Sequence, residues 1–105
     1  LEACATYLRQ LDDARTGVGV IGFCSGGRQV LIAACESNAF DAAIDCWGGY
    51  LDRASAEAVV TPNRPRTVLD MISGLSTPLV MATGSEDADP STKLVRPASS
   101  IAKAC

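Results

Sequence analysis

Residues 18–27, Val-Gly-Val-Ile-Gly-Phe-Cys-Ser-Gly-Gly, constrain the fold of this chain more than any other stretch. The part that ends at Phe23 is almost entirely apolar, which is typical of a parallel strand covered on both faces. Residues 22–26, Gly-Phe-Cys-Ser-Gly, then match a nucleophile elbow, in which a strand turns sharply into a helix and the central side chain projects above the sheet edge. Gly26 and Gly27 are expected to relieve crowding at this turn.

Cys24 stands at the nucleophile position of this pattern. It would lie at the N-terminus of a helix, where unpaired amides and the helix dipole stabilise a thiolate. The amide of the next residue, Ser25, would supply the first half of an oxyanion hole. The alternative is that Cys24 is one more small buried residue in a chain rich in alanine and cysteine.

The 105 residues contain no histidine. Histidine is the usual base for a cysteine or serine nucleophile, so a complete hydrolase of this type should contain one.

The composition bounds the class of protein. A length of 105 residues predicts a single domain, and the net charge of −3 without a basic cluster argues against binding to nucleic acid or an anionic membrane. Five cysteines, an odd number with no Cys-x-x-Cys pair, argue against disulfides, zinc and iron–sulfur sites and favour a reducing cytoplasm. The chain has no long apolar segment, and residues 1–13 have the spacing of an amphipathic helix rather than of a signal peptide.

Helices and strands are predicted to alternate along the chain. We expect helices at 1–13, 28–36 and 67–73, strands at 18–23, 41–47 and 78–83, a short helix at 55–58, an extended turn at 61–65 and a last helix from about 91. This order is typical of a parallel α/β sheet with right-handed crossovers. Three strands added in one direction place their helices mainly on one face, so missing segments of a larger fold or a partner chain would cover the other.

Gly17-Val-Gly-Val-Ile-Gly22 matches the dinucleotide fingerprint G-x-G-x-x-G in letters only. The fingerprint follows a strand and opens a helix, whereas these glycines lie within the predicted strand itself. We interpret them as strand glycines that allow close backbone approach beside the elbow.

A second candidate segment, residues 84–90, follows the third strand at the sheet edge where ligands bind in open α/β sheets. Asp87 is our candidate for an orienting carboxylate. The alternative is a solvated acidic turn in which Asp89 or Ser91 caps the next helix.

Trp47, at the end of the second strand, either lines an apolar pocket or is ordinary packing. Arg28, one turn into the elbow helix, either contacts an anionic substrate or is a surface side chain.

Together these segments resemble the dienelactone hydrolase family (carboxymethylenebutenolidase-like), cysteine-nucleophile members of the α/β-hydrolase superfamily. The resemblance covers about residues 1–91 and is carried by Gly-Phe-Cys-Ser-Gly-Gly-Arg at 22–28, Phe-Asp-Ala-Ala-Ile-Asp-Cys-Trp-Gly at 40–48, Thr-Pro-Asn-Arg-Pro at 61–65, Leu-Ser-Thr-Pro-Leu at 75–79 and Gly-Ser-Glu-Asp-Ala-Asp-Pro-Ser at 84–91.

The resemblance implies a partial α/β-hydrolase fold and a hydrolase of lactones or small esters that needs no metal or organic cofactor. Cys24 would be the nucleophile, Ser25 an oxyanion-hole donor, and Asp87 the acid that orients a histidine. Family members are considerably longer and place that histidine after the acid, so we expect an internal segment of such a protein that hydrolyses esters poorly or not at all by itself.

Two further hypotheses stay open at this stage. A non-catalytic α/β binding or interaction module would have five thiols of comparable reactivity and a partner on the bare sheet face. A nucleotide-binding domain would need residues 17–22 to form a loop at the start of a helix.

Overall fold

A computed structural model describes residues 1–13, 17–52, 62 and 65–89. The elements, in chain order, are α1 (Glu2–Arg9), β1 (Gly19–Phe23), α2 (Ser25–Glu36), β2 (Ala42–Cys46), α3 (Val68–Met71) with a 3₁₀ turn (Ile72–Gly74), and β3 (Leu79–Ala82). This is the alternation that the sequence predicts. The predicted helices at 55–58 and from about 91, and the predicted turn at 61–65 apart from its two prolines, lie outside the described residues.

The three strands form one parallel sheet in the order β1-β2-β3. Val20 pairs with Ala43 across the first ladder, and Ile44 pairs with Val80 across the second. Parallel neighbours need a crossover connection, and α2 and α3 lie in the two crossovers. The carboxyl ends of all three strands therefore meet at one edge of the sheet.

One face of the sheet carries the core. Side chains at alternate strand positions point to this face, where Val30 and Ala34 of α2 pack against Ala43. Leu31 of α2 packs with Val68 of α3, and both belong to a cluster that Leu79 and Met81 of β3 complete. Leu31 is fully buried in this cluster, so it anchors α2 against α3 and β3.

The opposite face is bare within the described part of the chain. Ile21, Phe23, Ile44 and Val80 point to it and are 56%, 54%, 38% and 60% exposed. The prediction of three parallel strands with helices mainly on one face is confirmed. Burial alternates with the period of two that a sheet dictates, so the apolar residues of β1 are covered on one side only.

The first helix is shorter than predicted. It ends at Arg9 rather than Asp13, and of its predicted apolar stripe only Ala5 is buried, whereas Leu8 and Leu11 are 43% and 42% exposed. The reason is the side chain of Arg9, whose guanidinium donates to Ala39 O at 2.6 Å and to Asp41 Oδ2 at 2.7 Å. These bonds fix the helix end beside the start of β2, and the chain leaves the helix there to reach β1.

The other helix boundaries follow local signals. α2 begins directly after Cys24, three residues before the predicted Arg28, and ends at Glu36 as predicted. Thr67 caps α3: its hydroxyl accepts from the Asp70 amide, while the Asp70 carboxylate accepts from the Thr67 amide. The predicted helix at 67–73 is therefore a single α-turn that tightens into a 3₁₀ turn.

Candidate active site

Cys24 is the turn residue between β1 and α2. Its backbone has φ 54° and ψ −121°, a conformation that costs a non-glycine residue about 1–3 kcal/mol. Two backbone hydrogen bonds hold it: the Cys24 amide donates to Cys46 O at 2.9 Å, and the Arg28 amide donates to Cys24 O at 3.2 Å. Cys24 is exposed and lies at the N-terminus of α2. The chain therefore forms the strand-turn-helix elbow that the pattern at 22–26 predicts.

The glycines around this turn have unequal roles. A Cβ at Gly22 would lie 2.3 Å from Gly26 O, and one at Gly27 would lie 2.1 Å from Asp45 Oδ1, so both positions exclude any side chain. A Cβ at Gly26 meets no atom within 4 Å. The expectation that Gly26 relieves crowding by lacking a Cβ is therefore wrong. The crowded position is Gly22, where a Cβ would collide with the backbone of Gly26.

Gly22 and Gly19 lie within β1, and no helix begins at residues 17–22. The geometry required for the dinucleotide fingerprint is thus missing at this segment, and the close approach at Gly22 fits the interpretation as a strand glycine.

The end of β2 forms an aromatic rim beside the elbow. Trp47 and Tyr50 both have positive φ, 42° and 58°, and Gly48 between them is packed so tightly that a Cβ would lie 2.5 Å from Arg28 N. The Trp47 ring is half exposed and lies 5.6 Å from the Phe23 ring at an interplanar angle of 58°. This edge-tilted arrangement is one that aromatic pairs favour.

The buried carboxylate of Asp45 accepts a hydrogen bond from the backbone of the aromatic rim. Asp45 is 1% exposed, and its Oδ1 accepts from the Gly48 amide at 2.9 Å. Burial raises the pKa of the Asp45 carboxyl above its ordinary value, and the hydrogen bond from Gly48 partly opposes that rise. The same oxygen is the atom that excludes a side chain at Gly27, so Asp45 links the rim to the first turn of α2.

The loop after β3 places two further carboxylates. Asp87 Oδ2 accepts from the Gly84 amide at 2.7 Å and from Thr83 Oγ1 at 3.1 Å, which fixes the loop as a tight turn. The two carboxylate oxygens of Asp89 accept from the Tyr50 amide at 3.1 and 3.2 Å. Asp89 therefore ties this loop to the aromatic rim across the edge of the sheet.

These elements enclose a cavity of about 270 Å³ at the carboxyl edge of the sheet. Its described lining residues are Cys24, Ser25, Trp47, Gly49, Tyr50, Asp87 and Asp89. The structure thus brings together four of the five site residues predicted from sequence. Sequence reasoning missed Tyr50 and did not assign Asp89 to the site, because their hydrogen bond joins positions that are distant in the chain.

Arg28 lies outside this cavity. Its guanidinium stands 5.5 Å from the centre of the Tyr50 ring, and its buried Nε has no hydrogen-bond acceptor among the described residues. With Arg66, Thr67 and Tyr50 it lines a separate cavity of about 20 Å³, room for about one water molecule. Contact of Arg28 with an anionic substrate stays a prediction, and this placement does not favour it.

Within residues 1–13, 17–52, 62 and 65–89, no three His, Cys, Asp or Glu side chains are grouped as metal ligands. Over the same part of the chain, no helix has the length and apolar character to cross a membrane.

The parallel sheet, the helices in its crossovers and the elbow at its carboxyl edge define part of an α/β-hydrolase fold. The sequence model of the "Dienelactone hydrolase family" matches residues 1–100. The chain therefore belongs to the dienelactone hydrolase family.

One solved structure illustrates the shared fold. It is the crystal structure of "Putative Dienelactone Hydrolase from Klebsiella pneumoniae subsp. pneumoniae MGH 78578", which superposes with a TM-score of 0.72 at 24% sequence identity. The match covers 96% of this chain and 40% of that one, so the chain spans less than half the length of this neighbour. No curated protein matched the chain.

Proposed function

We propose that this chain carries the nucleophile and oxyanion half of a hydrolase site for lactone or small ester bonds. The observation that carries the proposal is Cys24 itself, an exposed thiol on a strained turn at the head of α2, opening into a cavity that Asp87 also lines. Strain at such a position is typical of functional residues, and family membership supports the reaction class.

Acylation follows from the placement of Cys24 and Ser25. The Cys24 thiolate attacks the carbonyl carbon, a sulfur–carbon bond forms, and the carbonyl oxygen takes the negative charge. The amide of Ser25, the first residue of α2, has no acceptor within the helix and donates to that oxygen. The carbon–oxygen bond then breaks, the alkoxide takes a proton from solvent, and a thioester remains on Cys24; an ester loses its alcohol at this step, whereas an opened lactone keeps the hydroxyl on the acyl group.

Hydrolysis of that thioester needs a base that activates water. In the proposal Asp87 orients a histidine for this step, as the resemblance to the family implies. The 105 residues contain no histidine. We therefore expect this chain to acylate at Cys24 and to release the acyl group slowly.

Mass spectrometry after incubation with 4-nitrophenyl acetate tests the proposal. We expect about one equivalent of nitrophenolate, one acetyl group on Cys24 and little further turnover. Cys24→Ala should abolish the burst, whereas Cys4→Ala, a matched loss of an exposed thiol, should leave it intact. Acetylation spread equally over the exposed thiols would refute the nucleophile and favour the non-catalytic module.

A further inference from the structure

The carboxylate of Asp45 touches both backbone segments that frame Cys24. Asp45 is 1% exposed, and its Oδ1 accepts from the Gly48 amide at 2.9 Å. A Cβ at Gly27, in the first turn of α2, would lie 2.1 Å from this same oxygen. A Cβ at Gly48 would lie 2.5 Å from Arg28 N. The carboxylate, the aromatic rim and the first turn of α2 are therefore in mutual contact.

The first turn of α2 holds the groups that the proposed acylation uses. The Arg28 amide donates to Cys24 O at 3.2 Å, and the Cys24 amide donates to Cys46 O at 2.9 Å. The Ser25 amide begins the helix and has no acceptor within it. An oxyanion donor acts only when it lies within hydrogen-bond distance of the developing charge. A shift of this turn against the rim would therefore weaken acylation.

The rim is a turn that its surroundings must hold. Trp47 and Tyr50 have φ of 42° and 58°, and non-glycine residues keep such a conformation only where neighbouring contacts impose it. The Trp47 amide donates to Ala82 O at 2.7 Å, and the next amide, that of Gly48, donates to Asp45. Aspartate side chains commonly fix turns by accepting from backbone amides a few residues further on. Asp45 thus holds the turn that carries the Trp47 ring.

We propose that Asp45 is a positioning residue for acylation of Cys24. Its side-chain oxygen holds the rim against the first turn of α2, so that the Ser25 amide meets the carbonyl oxygen of a bound ester. Asp45 is buried and is not among the described residues that line the cavity, so it acts through its neighbours rather than on the substrate. The inference rests on the proposed function, because it concerns the same thiol.

Two reagents that attack the same sulfur separate positioning from exposure. With 4-nitrophenyl acetate the sulfur–carbon bond forms through an oxyanion, nitrophenolate leaves and the thiol proton passes to solvent. With iodoacetamide the sulfur–carbon bond forms at a saturated carbon, iodide leaves and the thiol proton passes to solvent, so no oxyanion arises. The ratio of acetylation rate to alkylation rate at Cys24, divided by the same ratio at the exposed Cys4, is the acylation excess. In the unmodified chain it should be about tenfold or more.

Three variants assign the effect. Asp45→Ala removes the acceptor and should lower the acylation excess about tenfold, because small misplacements of reacting groups are costly. Asp45→Asn keeps an oxygen acceptor for the Gly48 amide and should stay within about twofold of the unmodified chain. Thr77→Val is the matched control: it removes a buried hydroxyl that donates to Phe40 O at the other end of the sheet, and it should leave the excess unchanged.

The fluorescence of Trp47 gives a second measurement that needs no ester. Asp45→Ala should shift the emission to the red and increase acrylamide quenching, because the ring loses its fixed turn. Asp45→Asn and Thr77→Val should alter neither. If Asp45→Ala fails to fold, Asp45→Val, which suits a strand and also lacks an acceptor, takes its place in both measurements.

An unchanged acylation excess in the folded Asp45→Ala or Asp45→Val chain would overturn the inference. Equal losses in Asp45→Asn and Asp45→Ala would also overturn it, since the acceptor would then not be what matters. An equal loss in Thr77→Val would show a general effect of stability and would do the same. Failure of the proposed function is visible before any substitution: the unmodified chain would have equal ratios at Cys24 and Cys4.

Discussion

The amide nitrogen of Cys24 lies 2.9 Å from the carbonyl oxygen of Cys46, to which it donates a hydrogen bond. This bond extends the β1-β2 ladder one residue beyond the Phe23–Cys46 pair and into the elbow. The next residue of the rim, Trp47, donates its amide to Ala82 O at 2.7 Å. One continuous set of backbone bonds therefore holds the elbow, the aromatic rim and the end of β3 in a common frame.

The elbow predicts opposite outcomes for two neighbouring Gly→Ala changes. Gly22→Ala should destabilise the fold by about 2 kcal/mol or more, because its Cβ would overlap the backbone of Gly26. Gly26→Ala should be neutral or stabilise by up to about 1 kcal/mol, because the site is open and alanine favours the first turn of α2. Urea unfolding of the two variants checks this, and equal losses would contradict the elbow geometry.

The sole tryptophan reports on the aromatic rim. Phe23→Leu removes the ring that lies 5.6 Å from Trp47, so Trp47 emission should shift to the red and acrylamide quenching should increase. The pair contributes about 0.5–1.5 kcal/mol, so the loss of stability should be small.

Phe40→Leu is the matched control for that experiment. Phe40 is buried with Ala5 and Val18 in a different cluster, so its change should lower stability by about 1 kcal/mol and leave Trp47 emission unaltered. A red shift in both variants would mean that the fluorescence reports general loosening rather than the contact with Phe23.

The Asp41 carboxylate predicts an acid-dependent loss of stability. The Val18 amide, at 2.7 Å from Asp41 Oδ2, and then the Arg9 guanidinium hold the pKa of Asp41 below its ordinary value. A group with a depressed folded pKa stabilises the fold above its unfolded pKa, about 3.9, and loses that contribution as the pH falls through the folded value.

Asp41→Asn should therefore lower the urea midpoint near pH 7. The difference in urea midpoint between this variant and the unmodified chain should narrow as the pH falls through 4 and below, since protonation of Asp41 removes the same negative charge. Ser76→Ala, at an exposed side-chain hydrogen bond elsewhere, should show a difference that does not vary over this range. A difference for Asp41→Asn that is constant from pH 7 to pH 3 would contradict the role of its charge.

The Cys35 thiol should give the opposite pH dependence, with the stability of the fold falling as the pH rises. Burial, and then the charge of Glu36, raise the pKa of the Cys35 thiol to about 11. The unfolded chain loses this proton at lower pH than the folded chain, so stability should fall between about pH 9 and 11, by at most about 3 kcal/mol. Cys35→Ala should remove that part of the fall, as urea unfolding at pH 8 and pH 10.5 would show.

The same residue gives a labelling control. At pH 7 to 8, alkylation of Cys35 in the folded chain should be much slower than that of exposed Cys4, and the rates should converge in urea. Rapid labelling of Cys35 under native conditions would contradict the partial burial of this α2 residue against the core.

Local sequence determined much of this fold. The apolar run before Cys24, the breaks at Ser37 and Gly48, and the cap residue Thr67 each act within a few residues, so the order of the elements, the elbow and the start of α3 were predictable. The length of α1 was not, because it depends on Arg9 reaching Ala39 and Asp41 about thirty residues away.

The same distinction between local sequence and tertiary contacts applies to the candidate site. The sequence by itself determined that a thiol stands on a tight turn at a helix head, because the glycine spacing and the strand before it allow little else. Only the tertiary structure decided what surrounds that thiol: Asp89 binds the Tyr50 amide, and Arg28 lies over the Tyr50 ring instead of in the cavity. Such contacts depend on how three strand ends converge, and the pattern within any one segment does not specify that convergence.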